Sequence, residues 1–135
     1  MNNLKVFNFT VVALGLLVLG LPAFAHHSFA AEFDGSRVLH LEGVITKVDW
    51  VNPHSWWHVD VTNAKGVVEH WNIQSDSPIQ LRRAGMTREN VGNPGEKVKI
   101  IAYPSKDDTK GLAIIQTITF EDSGLTFKML DDFTR

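Results

Sequence analysis

Ser-Trp-Trp-His-Val-Asp-Val-Thr-Asn-Ala-Lys-Gly-Val-Val-Glu-His-Trp-Asn-Ile-Gln, residues 55–74, is the stretch on which the fold turns. From Ser55 to Thr62 the side chains alternate. Trp57, Val59 and Val61 fall on one face, with Trp56, His58 and Asp60 on the other. That period of two is the mark of a half-buried strand. Asn63-Ala64-Lys65-Gly66 is a type I turn sequence, with glycine where a left-handed residue is needed. Val67 to Gln74 then returns as a second strand, so the stretch predicts a hairpin.

Upstream, Val38 to Val51 is rich in β-favouring bulk and reads as a long strand ended by Asn52-Pro53. Gly43 interrupts it, which suggests a bulge or a bend. Downstream, Ser77-Pro78 opens a short helix: Ser77 can cap it and Pro78 suits its first position. Ile79, Leu81 and Met86 give the helix an apolar side. Lys97–Tyr103 and Leu112–Glu121 are further strands, and Leu125–Leu130 is a short last one. Three strands, a helix and then two or three strands predict a mainly β domain. The pattern matches a small OB-like Greek-key barrel of five to six strands, with one short helix between the third and fourth. A different small barrel, or an open sheet with one helix, fits the same pattern. Trp50, Trp57 and Trp71 are expected to fill the barrel.

The first 25 residues have a different character. Lys5 and the amino terminus precede an apolar run from Val11 to Leu21, and Ala23-Phe24-Ala25 offers a signal-peptidase site. The run is shorter than the roughly 20 residues of a spanning helix, and Pro22 breaks it. The expected organisation is a signal peptide over 1–25, an arm over 26–37 and the barrel over 38–135. The mature protein is then periplasmic or secreted, with no membrane attachment after cleavage. Phe29 and Phe33 are positioned to dock the arm.

Composition narrows the chemistry. Without the leader, 12 Lys and Arg stand against 15 Asp and Glu, a formal charge of −3 with no basic run. Nucleic-acid binding normally needs a positive field, so nucleic acid is not an expected partner. There is no cysteine, which removes thiolate sites and thiol nucleophiles.

Two histidine groups are candidate metal ligands. Cleavage after Ala25 makes His26 the first residue, and its free amine and imidazole can chelate one ion together, with His27 adjacent. Tetragonal nitrogen ligation of that kind suits Cu(II), so copper is the expected cofactor if any metal binds. The second group is His54, His58 and His70, of which His58 and His70 share one face of the hairpin, opposite each other or offset by one pair, beside Asp60. The bland reading is a polar exposed strand face. The spacing matches no specific metal motif.

Trp56, Asp60 and Asn72 lie on that same polar face and make it a candidate surface for a peptide, a glycan or a periplasmic partner protein. Arg82, Arg83 and Arg88 read as a solvated helix face. No nucleophile elbow, paired-carboxylate spacing or phosphate-cradling glycine loop is present, so the chain is read as a binding or accessory module rather than an enzyme.

His26-His27-Ser28-Phe29-Ala30-Ala31-Glu32-Phe33-Asp34, Leu41-Glu42-Gly43-Val44-Ile45-Thr46-Lys47-Val48 and Trp50-Val51-Asn52-Pro53-His54-Ser55-Trp56 resemble an uncharacterised family of small exported bacterial proteins, catalogued only as a domain of unknown function. The similarity continues through Ser77-Pro78, Leu81-Arg82-Arg83 and Gly85-Met86-Thr87-Arg88. The resemblance implies export to a Gram-negative periplasm and a small β-barrel, and it supplies no activity. Trp57 departs from the family pattern, and residues 127–135 look individual to this chain.

Overall fold

The computed structural model describes residues 31–129. The leader, the cleavage point and the His26–His27 pair lie outside the described residues.

Six strands and a short helix follow one another: β1 (Leu39–Asp49), β2 (Trp56–Thr62), β3 (Val68–Gln74), α1 (Pro78–Arg83), β4 (Lys97–Pro104), β5 (Leu112–Phe120) and β6 (Thr126–Lys128). The sheet order is β3-β2-β1-β4-β5-β6, and a parallel β3–β5 pairing closes the first five strands into a barrel. The protein is therefore mainly β: a closed five-stranded barrel with β6 added beside β5.

The hairpin forms as its alternation dictates. Val59 pairs with Trp71 and Asp60 with His70. Asn63 Oδ1 accepts from the Lys65 and Val67 amides, which ties the turn. The helix starts with a reciprocal cap: the Ser77 side chain accepts from the Gln80 amide, and the Gln80 side chain accepts from the Ser77 amide.

β1 pairs with β4 over Leu39–Val44 and with β2 over Gly43–Asp49. Its register shift lies between Ile45 and Lys47, three residues beyond where Gly43 pointed. Gly43 is paired on both sides and serves a different need. A Cβ there would lie 2.5 Å from the Asp60 carbonyl oxygen, so only glycine lets the strands approach so closely. The shift at Thr46 has a larger consequence. Unbroken alternation from Leu41 through Ile45 would turn Asp49 into the core. The extra residue flips the phase, so that Val48 packs against the core and Lys47 and Asp49 turn outward.

The core gathers Ile45, Trp57, Ile73, Ile100, Ile115, Ile118 and their neighbours, all fully buried. Each such side chain contributes about 1.5–3 kcal/mol relative to exposure. Leu81 of α1, with Met86 and Val91 after it, joins the same cluster and covers one end of the barrel. Of the three tryptophans expected to fill the barrel, only Trp57 is fully buried. Trp50, just past the end of β1, and Trp71, in β3 at the cleft-side end of the barrel, lie partly exposed against the cluster. Trp57 stands 5.9 Å from Trp50 and 6.0 Å from Phe120, ring centre to ring centre. Its indole N–H donates to Ser75 Oγ at 2.9 Å.

The arm residue Phe33 is buried and bridges to Ser105, while the Asp34 amide donates to the Pro104 carbonyl. The chain therefore joins the barrel along the end of β4, ahead of β1.

Candidate functional site

The outward face of β1, β2 and β3 brings most of the candidate residues together. Across the hairpin His58 stands opposite Asn72, His70 opposite Asp60, and Trp56 opposite Gln74. His58 and His70 are thus offset by one pair on a single face. Asp49 and Lys47 reach the same face from β1, Lys47 opposite His58 and Asp49 opposite Trp56.

His58 is held at both ring nitrogens. Nε2 lies 2.9 Å from Asp49 Oδ2, and Nδ1 lies 2.7 Å from Asn72 Oδ1. Both partner atoms are acceptors, so a protonated ring donates on both sides, whereas a neutral ring donates to only one of them. Asp49 also takes the Lys47 ammonium at 2.7 Å. The Lys47 contact first, and the His58 contact second, hold the Asp49 carboxyl below the ordinary carboxylate range. Thr46 Oγ1 donates to the His58 carbonyl at 3.1 Å, which ties the irregular turn of β1 to the same strand.

His70 is differently placed. Its side chain is 80% exposed, and Nδ1–H donates to Asp60 Oδ1 at 2.6 Å. In the neutral ring that bond leaves the Nε2 lone pair available, the orientation a carboxylate gives a metal-binding imidazole.

His54 lies exposed in the corner between β1 and β2, apart from the other two imidazoles. The charge it acts on is Asp76. Burial pushes the Asp76 carboxyl up, and His54 partly offsets this. Ser55, Ser75 and the Trp57 indole form a buried polar corner behind it, in which Ser55 Oγ has no protein partner.

Among the described residues, no three His, Asp or Glu side chains converge as a metal cluster. His54, His58 and His70 are therefore not brought together as one ligand set, and His26 and His27 lie outside the described residues. His58 would have to give up Asp49 or Asn72 to take a metal, whereas His70 would not.

Sequence reasoning did not single out Asp49 or Lys47, which complete the face. Alternation continued from Leu41 points Lys47 and Asp49 inward, and the register shift at Thr46 turns them to this face. The chemistry of the face is that of recognition. It holds an aromatic ring at Trp56, imidazoles fixed by carboxylates, and amide and ammonium groups between them.

No curated protein and no solved structure matches the chain. A family model does match, over residues 13–113, and covers the arm, the hairpin, α1, β4 and the first residues of β5. The chain belongs to the family of unknown function DUF6152.

Proposed function

We propose that this chain is an exported binding module whose outer β1–β2–β3 face engages a peptide, a glycan or a partner protein. One observation supports the reading above the others. The polar side chains beside Trp56 are already fixed by one another: His58 by Asp49 and Asn72, and His70 by Asp60. Ordering a rotamer-rich side chain at an interface costs about 0.5–1.5 kcal/mol, so a surface ordered in advance binds with less loss. Export rests on the leader at residues 1–25.

The test is recovery of partners from the cell envelope with the native protein and with Trp56→Ala. Loss of a partner with the variant is the expected result. Retention of every partner overturns the reading.

A metal-binding reading, copper first, stands second and is favoured by His70, whose Nδ1 is occupied by Asp60 while its ring projects into solvent. The remaining ligands would come from His26 and His27 at a freed terminus. Calorimetric titration with Cu(II) tests it, using processed protein beside a version carrying one extra residue before His26. Tight binding by the first alone supports it, and equal weak binding by both removes it.

A further inference from the structure

Among the described residues, none covers the end of the barrel away from α1. A cleft of about 550 Å³ opens there, floored by Leu39, Trp71 and Leu112. That volume lies within the range of small-ligand sites. One wall is the β4–β5 loop, which is held firmly: Asp107 Oδ1 accepts from Ser105 Oγ at 2.7 Å and from the Thr109 amide at 3.0 Å. Arg37 reaches over to Asp108 at 2.7 Å, so these two rim charges satisfy each other.

Two other rim charges do not pair. Lys110 has no carboxylate within 4 Å among the described residues, and Glu69 has no cation there, only the Asn63 amide at 2.8 Å. They come from opposite walls, β3 and the loop before β5. The rim thus offers one unmatched positive and one unmatched negative charge over an apolar floor.

The β3 wall carries a second feature. The Asn72 amide donates across to the Gly111 carbonyl at 2.7 Å, and β3–β5 pairing begins at Asn72 and Leu112. Backbone groups alternate along a strand, so those of His70 and Val68 face the same side as Asn72, with Gly111 closing off the His70 carbonyl. On that side, among the described residues, β3 has no strand partner upstream of Asn72. An open strand edge is a site where an extended peptide can add its own backbone bonds.

We propose that this cleft binds a short apolar peptide with free termini, of two or three residues. Its side chain rests on Leu39, Trp71 and Leu112. Its carboxylate meets Lys110 and its ammonium meets Glu69, so its backbone crosses the cleft from the open edge of β3. A small organic anion would match Lys110 but leave Glu69 at the rim without a counter-charge. The cleft borders the outer face at His70, which lines both, but it uses neither Trp56 nor His58.

The experiment is an NMR titration of the protein, as the cell produces it, with leucyl-leucine, its N-acetyl form and its C-terminal amide. Saturable shifts at residues 69–71 and 110–112 are expected with the free dipeptide. Blocking either terminus weakens binding roughly tenfold or more, the worth of one charge-assisted contact. In Lys110→Gln the amide and the free peptide bind alike. In Glu69→Gln the acetylated and free peptides bind alike. Trp56→Ala leaves all of these values unchanged. Absence of saturable shifts, equal binding of blocked and free peptides to the native protein, or shifts centred on Trp56 and His58 would each overturn the proposal. Both charge variants alter surface side chains, and circular dichroism confirms that they fold.

Discussion

The two ends of the barrel are made by the same five strands, and they differ in what covers them. At the α1 end, Leu81, Met86 and Val91 join Trp57 and Phe120 in one cluster of buried side chains. At the other end a polar loop stands where an apolar lid would be, and Leu39, Trp71 and Leu112 keep part of their surface free. The tryptophans record the contrast. Trp57 N–H has Ser75 Oγ at 2.9 Å, while Trp71 Nε1 is buried with no acceptor. A barrel end becomes core only when the connection after a strand carries its own apolar side chains. α1 does so, and the Lys106–Lys110 turn does not.

Substitution measures that contrast. The largest effect is expected at the covered end: Trp57→Ala should lose about 4 kcal/mol of unfolding free energy, since it empties a fully buried indole site. Urea denaturation reads this directly, and a loss below that of any open-end truncation would break the comparison. Next comes the β3–β5 seam at the open end. Gly111 has φ +73°, and a Cβ there would clash with the His70 carbonyl oxygen. Gly111→Ala should therefore cost about 2–3 kcal/mol through backbone strain and overpacking. Loss of protection of the Asn72 amide from hydrogen exchange would locate the damage at β3–β5.

The sharpest comparison is a matched pair. Trp57→Phe removes a satisfied donor and should cost about 1–2 kcal/mol through lost packing and the buried Ser75 hydroxyl left behind. Trp71→Phe removes an unsatisfied one and should lie within about 1 kcal/mol of the native protein. Equal losses at the two positions would show that the hydrogen bond does not distinguish the ends.

The smallest effect is a dependence on pH in the loop of the open end. Hydrogen bonds from Ser105 and then Thr109 hold the Asp107 carboxyl at about 2, below its ordinary 3.8. A depressed carboxyl stabilises the fold above its unfolded value and loses that contribution as pH falls through the folded one. The β4–β5 loop should thus loosen between about pH 4 and pH 2, read as faster amide exchange at Thr109. Asp107→Asn should flatten that dependence.

Much of the fold was legible because its evidence is local. The alternation from Trp56 to Thr62, the turn at Asn63–Gly66 and the Ser77–Pro78 cap each concern residues within a few positions of one another, and each formed where its pattern lay. Alternation also fixed that Trp56, His58, Asp60, His70 and Asn72 share a face, since side-chain direction follows from strand phase alone. Belonging to the family rests on sequence too.

Only the folded chain decided what lies across from what. The register shift at Thr46 turned Asp49 outward to His58, and one inserted residue in a strand leaves little mark on composition. The parallel closure of β3 on β5 set Glu69 and Lys110 on facing walls, 41 positions apart in the chain. Contacts of that kind come from register and closure, which depend on the fit of the whole barrel, whereas strand phase is set by each residue and its immediate neighbours.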